Sequence, residues 1–124
     1  MSCRLLDRIE ARDARVVVVG QGYVGLPVAM RAAEAGFPVT GYEVDPTRLS
    51  ALQSGRSYVG DVPDERLQRA IDSGYRASDR VDDVAGFDVA VISVPTPLHD
   101  GTPDLSFVEA AAKMLASGLS PDAL

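Results

Sequence analysis

The stretch that decides the fold is Val16-Val17-Val18-Val19, then Gly20-Gln21-Gly22-Tyr23-Val24-Gly25, then Leu26-Pro27-Val28-Ala29-Met30-Arg31-Ala32-Ala33-Glu34-Ala35. Four consecutive β-branched residues read as a strand covered on both faces, the position of an inner strand in a parallel sheet. The segment after the glycines is rich in strong helix formers, and Pro27 falls in its first turn, where a missing N–H does little harm. Gly36 stands where such a helix ends in a left-handed residue. Phe37-Pro38-Val39-Thr40-Gly41-Tyr42-Glu43 returns as a second strand. Strand, glycine turn, helix and strand in this order predict a βαβ unit.

Each glycine of the G-x-G-x-x-G turn has its own physical task. Gly20 permits the sharp exit from the strand, Gly22 lets a pyrophosphate approach the backbone, and Gly25 lets the helix lie close on the sheet. Unpaired N–H groups at the helix start, with the positive end of its dipole, then face an anion. Glu43 closes the second strand about 20 residues after the glycines, where a carboxylate accepts hydrogen bonds from an adenosine ribose. The four features together predict a dinucleotide site rather than a merely structural crossover.

Composition narrows the partners. With 124 residues, 46% hydrophobic and 24% charged, the chain has ordinary globular composition and room for one domain with a real core. A net charge of −6 argues against nucleic acid or an anionic membrane as partner, since both need a basic footprint. A dinucleotide is also an anion, but backbone amides hold it without net positive charge. No segment approaches about 18 uninterrupted apolar residues, and the first ten residues lack a signal-peptide run. The single cysteine, Cys3, cannot form an intrachain disulfide, which fits a cytoplasmic setting, and it is read as inert.

Residues 1–14 read as a tail or short helix, and 15–124 as the dinucleotide-binding domain. A helix entered at Pro46 puts Leu49 and Leu52 on one face and ends at Ser54-Gly55. Arg48, in its first turn, has two readings: a contact near the adenosine ribose, or a solvated residue paired with Glu43 or Asp45. Glu43 repels a ribose 2′-phosphate and Arg48 tolerates one; the carboxylate weighs more, so NAD is the expected cofactor. Residues 55–63 read as loop, followed by a helix with Asp64 as N-cap, an edge strand at 75–78 and one or two helical turns at 79–85.

The segment 88–94 is a second apolar strand. Ligands of open parallel sheets lie outside the carboxyl ends of the strands where the strand order reverses, so Val94, Pro95 and Thr96 are expected to line the same crevice as Gly22. His99 is the only histidine. It sits in a polar Pro/Gly segment, 95–103, with Asp100 as its only evident orienting carboxylate, and is read as a loop residue rather than a general base. The last helix starts with Asp104 as N-cap and carries Leu105, Val108, Ala112 and Leu115 as its expected buried stripe. A helix after the fourth strand calls for another parallel strand. The fold is therefore expected to be a doubly wound, Rossmann-type parallel α/β sheet, truncated after the fourth strand and its following helix. The exposed flank of strand 89–94 is expected to pair with another molecule or to aggregate.

Several segments together carry a family likeness: Gly20-Gln21-Gly22-Tyr23-Val24-Gly25-Leu26-Pro27, Gly41-Tyr42-Glu43-Val44-Asp45, Ser57-Tyr58-Val59, Val94-Pro95-Thr96-Pro97-Leu98 and Pro103-Asp104-Leu105-Ser106. The combination resembles the N-terminal domain of the nucleotide-sugar 6-dehydrogenases, which act on UDP-glucose, UDP-N-acetylhexosamines or GDP-mannose. Ser57-Tyr58 and Pro103 to Ser106 look closest to the UDP-N-acetylhexosamine branch. The resemblance implies oxidation of a sugar C6 alcohol to a carboxylate with two NAD+, through a cysteine-bound thiohemiacetal and thioester, by a homodimer serving polysaccharide biosynthesis. It implies backbone contacts from Tyr23 and Val24 to the pyrophosphate, Glu43 and Arg48 at the adenosine ribose, and Thr96 at the cofactor. The acid at Glu43 is often aspartate in the family, so the ribose contact is expected to be shifted or shared with Asp45. The family's cysteine nucleophile, lysine and asparagine have no match in this chain, and Cys3 stands in neither the position nor the context of the nucleophile. No catalytic residue and no metal ligand is assigned, and the chain alone is expected to be inactive. A free-standing NAD(H)-binding or regulatory module and another β-hydroxyacid-type dehydrogenase are the alternatives; Val94-Pro95-Thr96-Pro97 argues against the latter.

Overall fold

The structure, a computed structural model, describes residues 3–124; the side chain of Cys3, and with it the expectation for that thiol, lies outside the description. The chain runs α1 (Cys3–Glu10), β1 (Val16–Val19), α2 (Gly25–Glu34), β2 (Val39–Tyr42), α3 (Pro46–Gln53), α4 (Asp64–Ser73), β3 (Tyr75–Ser78) and β4 (Val89–Ile92). It ends with β5 (Leu98–His99), β6 (Thr102–Pro103) and α5 (Ser106–Ala116). The main sheet has the order β3-β2-β1-β4 and every pairing in it is parallel. Val16 pairs with Val39 on one side and Val89 on the other, so the valine strand occupies an inner position.

Both faces of the sheet are covered, as a doubly wound fold requires. On one face α2, α3 and α4 enclose Val18, Leu26, Met30, Leu52 and Leu67, each fully buried. On the other, α5 and a 3₁₀ turn at Val81–Asp83 cover Val17, Val19, Val84 and Phe87. The segment 88–94, read as a second apolar strand, is strand only over Val89–Ile92 and only half-buried, with Ile92 exposed, because it borders the sheet. Leu124 lies alongside it: its N–H donates to Asp88 and its carbonyl accepts from Ala90, both at 2.8 Å. That is the bonding pattern of a parallel neighbour.

Three local expectations change. Asp64 is the first residue of α4 rather than its cap; Pro63 takes the cap position, and the Asp64 carboxylate accepts from the Ser57 N–H at 2.8 Å. Asp104 likewise stands one residue before the cap position of α5, which Leu105 occupies, and accepts from Ser106 N–H at 2.9 Å. The stripe of α5 is turned as well. Leu115 is buried and Val108 half-buried, but Leu105 and Ala112 are exposed and Ala111 is buried in their place.

Residues 98–103, expected to be loop, form a two-stranded hairpin pairing Leu98 with Pro103 and His99 with Thr102. Asp100 and Gly101 have φ of 53° and 79°, the signature of a two-residue hairpin turn with both central residues left-handed. The Asp-Gly pair was the signal for it in the sequence.

Candidate functional site

The glycine turn is built by backbone geometry. The Gly20 N–H donates to Tyr42 O at 2.9 Å, so the end of β2 holds the start of the turn. Its φ of 92° is a left-handed value that favours glycine. At Gly25 the demand is spatial: an added Cβ would overlap the Gly20 carbonyl oxygen and the Ser93 hydroxyl. Helix α2 therefore reaches the sheet as closely as the third glycine of the motif allows. Leu26 N–H returns to Gly22 O at 3.1 Å, and Val28 N–H to Val24 O at 3.2 Å. Among the described residues, the N–H groups of Gly22, Tyr23 and Val24 meet no protein acceptor. They are the unpaired donors a helix start leaves for an anion.

These donors open onto a cleft of about 500 Å³ at the carboxyl ends of β1, β2 and β4. Of the candidate residues, Gly20, Gly22, Tyr23, Val24, Glu43, Arg48, Val94 and Pro95 line it. Gly25 is buried behind it. Thr96 is exposed and does not line the cleft, because the chain turns away after Pro95 toward the hairpin. Tyr42, Val44, Ser93 and Phe107 line it without having been singled out in the sequence. Phe107 belongs to α5, distant in sequence from the glycines, so no local pattern could place it there.

Glu43 is 7% exposed, and both its oxygens are engaged. Oε1 accepts from Gln21 N–H at 3.0 Å and Oε2 from Asp45 N–H at 3.1 Å. The acid thus ties the glycine turn to the end of β2, leaving its remaining lone pairs for a ligand. Asp45 caps α3, its Oδ1 accepting from Thr47 N–H at 2.9 Å and Arg48 N–H at 3.3 Å. Among the described residues Arg48 forms no salt bridge; its guanidinium lies over the Tyr58 ring, 5.3 Å from the centroid. Of the two readings of Arg48, the ion pair with Glu43 or Asp45 is not formed; an aromatic contact stands in its place.

The sequence reading missed the support beneath the turn. Gln21 is fully buried, with Nε2 donating to Val18 O and Gly20 O at 3.1 and 3.0 Å. Its Oε1 accepts from Tyr75 OH and its backbone carbonyl from Tyr58 OH, each at 2.6 Å. Burial pushes both phenols above their ordinary range, the nearby Glu43 charge acting in the same direction, so both stay protonated donors. Ser93 Oγ reaches Val19 O and Gly20 O, each at 3.0 Å. His99 is 85% exposed on the hairpin with only Asp100 beside it at 3.8 Å, the surroundings of a loop residue.

The family "UDP-glucose/GDP-mannose dehydrogenase family, NAD binding domain" matches residues 14–124. The chain belongs to this family. It is an NAD-binding domain of the nucleotide-sugar dehydrogenases, and its cofactor is NAD. A UDP-N-acetyl-D-mannosamine dehydrogenase of Pyrococcus horikoshii is 36% identical over 112 residues, 89% of this chain and 27% of the relative. The solved structure of UDP-D-ManNAc dehydrogenase from that organism matches with a TM-score of 0.84 over the same shares. An NDP-N-acetyl-D-galactosaminuronic acid dehydrogenase of Ralstonia nicotianae is 35% identical, over 90% of this chain and 26% of its own. The structure of a UDP-glucose dehydrogenase from Pyrobaculum islandicum is 37% identical with a TM-score of 0.77, covering 86% of this chain and 26% of that one. The chain thus spans about a quarter of the length of these dehydrogenases.

Two features of the cleft fit a dinucleotide. A Cβ on Gly22 would enter the space in front of Arg48, 3.7 Å from Nη1, where a phosphate needs room. The unpaired N–H groups and the Arg48 charge converge on that same space. Among the described residues no helix is long and apolar enough to cross a membrane.

Proposed function

We propose that residues 15–124 hold NAD across the cleft, as the cofactor-binding part of a nucleotide-sugar 6-dehydrogenase that oxidises a sugar C6 alcohol to a carboxylate with two NAD+. The observation that carries this reading is the set of unpaired N–H groups at Gly22, Tyr23 and Val24 facing the cleft between Glu43 and Val94-Pro95. Gly22, Tyr23 and Val24 would hold the pyrophosphate, Glu43 and Arg48 the adenosine ribose, and Val94 and Pro95 the apolar wall beyond it. When bound, the nicotinamide accepts a hydride; the residues of this chain bind the cofactor, orient it and shield one side from water. Among the described residues no thiol or lysine lines the cleft, and the chain by itself is expected to bind cofactor without oxidising a sugar nucleotide. A UDP-N-acetylhexosamine is the substrate this reading favours, supported by the names of the Pyrococcus horikoshii and Ralstonia nicotianae relatives, with UDP-glucose, the substrate named for the Pyrobaculum islandicum enzyme, as the alternative. We further propose a cytoplasmic homodimer, since an NAD-linked oxidation draws on the intracellular cofactor pool. The exposed edge of β4 at Ile92 is open to another strand.

Titration with NAD+ and NADH, followed by calorimetry, tests the site. The parent chain should bind both, and Gly22→Ala should weaken binding by at least about tenfold with an unchanged melting temperature, since the added Cβ meets only Arg48; Gly22→Val, with its larger side chain, should weaken it further. A Gly22→Val chain that binds as well as its parent, or a parent that binds neither form, removes the proposal.

A further inference from the structure

We propose that Tyr58 is a positioning residue for the nucleotide site: its hydroxyl fixes the glycine turn, and its ring holds Arg48 in front of that turn. This rests on the nucleotide-site reading above and assigns a role to a loop that the dinucleotide motif does not contain. Two separate contacts of one side chain carry it. The hydroxyl donates to the backbone carbonyl of Gln21, in the middle of the turn, at 2.6 Å. The ring face receives the Arg48 guanidinium at 5.3 Å from its centroid.

The two contacts land on parts of the site that differ in freedom. Gln21 is already fixed from below by Tyr75 OH and by its own bonds to Val18 O and Gly20 O. Its N–H is held by Glu43. The Tyr58 hydroxyl supplies a further bond, from the side of the loop, to the peptide that precedes Gly22. Arg48, by contrast, is exposed and without a carboxylate partner among the described residues. A free arginine would sample many rotamers and lose that freedom on binding a phosphate. Held over an aromatic face, it keeps its charge, since a ring neutralises nothing, and it spends less entropy when a ligand arrives.

The loop is stiff enough for the task. Ser57 N–H is bound by the Asp64 carboxylate at 2.8 Å, and Ser57 Oγ lies 3.1 Å from both Val59 N and Val59 O. Val59 and Val62 are 4% and 1% exposed, anchoring the segment in the core on the far side of Tyr58. A hollow of about 210 Å³ bounded by Gly22, Thr47, Arg48 and Tyr58 lies beside the turn, so the arginine borders open space. An anionic group of the dinucleotide fits that position by charge and by the lack of a side chain at Gly22.

The test separates the ring from the hydroxyl. Y58F removes only the hydroxyl, and the step from Y58F to Y58L removes only the ring; both are made with Arg48 present and with R48M. Binding of ADP-ribose and of NAD+ is measured by calorimetry, with melting temperatures to check folding. Loss of the ring should weaken ADP-ribose binding about fivefold when Arg48 is present and less than twofold in the R48M chains, the size and coupling of one cation–π contact. Nicotinamide mononucleotide, which lacks the adenosine half, should show no such step. An equal loss in both arginine backgrounds overturns the inference, because Tyr58 would then only support the fold. If the parent binds neither ADP-ribose nor NAD+, the nucleotide-site reading itself falls and takes this inference with it.

Discussion

The face of the sheet under α2, α3 and α4 and the face under α5 are built from the same kinds of residue but closed to different degrees. Helix α2 buries Gly25, Leu26, Ala29, Met30 and Ala33, whereas α5, one residue longer, buries only Ala111 and Leu115. Leu105 and Phe107, at the start of α5, remain 52% and 47% exposed, and Leu98 on the nearby hairpin 72%. The cleft stands where the two faces meet. Its donors come from the closed side, held by the Gln21 network, and its apolar wall of Val94, Pro95 and Phe107 from the open one. The unpaired N–H donors therefore stand on a rigid support within this stretch of chain, while the wall beyond them is presented with apolar surface to spare. Large apolar side chains left exposed next to a binding cleft mark a surface that meets something else.

The comparison breaks most directly at Gly25. A Cβ there collides with Ser93 Oγ and with the Gly20 carbonyl, a backbone group that cannot move without losing the turn. Gly25→Ala should cost more than about 4 kcal/mol or prevent folding, whereas Gly60→Ala, which meets nothing within 4 Å, should stay within about 0.5 kcal/mol. Urea unfolding measures both. A Gly25→Ala chain as stable as its parent would mean that α2 does not lie on the sheet as described.

A smaller effect sharpens the contrast between the faces. Leu26, with no exposed surface, sits in the closed core, and Leu115, 7% exposed, in the open one. Truncation to Ala should cost about 3 to 4 kcal/mol at Leu26 and about 2 kcal/mol at Leu115, where the looser surroundings collapse into the gap. Equal costs would erase the distinction between the two faces.

The closed face was also the legible one. Val16 to Gly36 could be read outright because every signal in it is local: a β-branched run, glycines at fixed spacing, helix formers, a left-handed stop. Glu43 was placed at the end of its strand by spacing alone. What escaped depends on pairs far apart in the chain. Tyr58 and Tyr75 reach Gln21 across 37 and 54 residues, and no periodicity announces a hydrogen bond of that range. A glutamine inside a glycine turn reads as polar filler until the two phenols are seen. On the open face the errors have another origin. The stripe of α5 was assigned by choosing the apolar positions Leu105 and Ala112, but so many residues of that helix are apolar that several stripes fit, and only contact with the edge strand picks Val108, Ala111 and Leu115. Thr96 was placed by the rule that ligands lie outside the carboxyl ends of the strands, but the chain turns away after Pro95 toward the hairpin at Leu98–Pro103.

The smallest expected effect tests whether the closed face depends on its surface. Arg66 of α4 grips Glu34 of α2 in a two-pronged contact, Nε to Oε2 at 2.8 Å and Nη2 to Oε1 at 3.0 Å. The hydrogen bond from Arg66 holds the Glu34 carboxyl below its usual value of 4.5. A lowered folded pKa means that the contact stabilises the fold above the unfolded value and is lost as pH falls through the folded one. The pair is exposed, so Arg66→Gln should cost less than about 1 kcal/mol near neutral pH and progressively less at low pH, as Glu34 takes up its proton in the folded state. Unfolding curves of parent and variant near neutral pH and at low pH give the comparison. A larger loss that persists in acid would show that the arginine stem, packed between the helices, joins α2 to α4 rather than the charge at its tip. The closure of this face would then be a matter of apolar packing out to its rim.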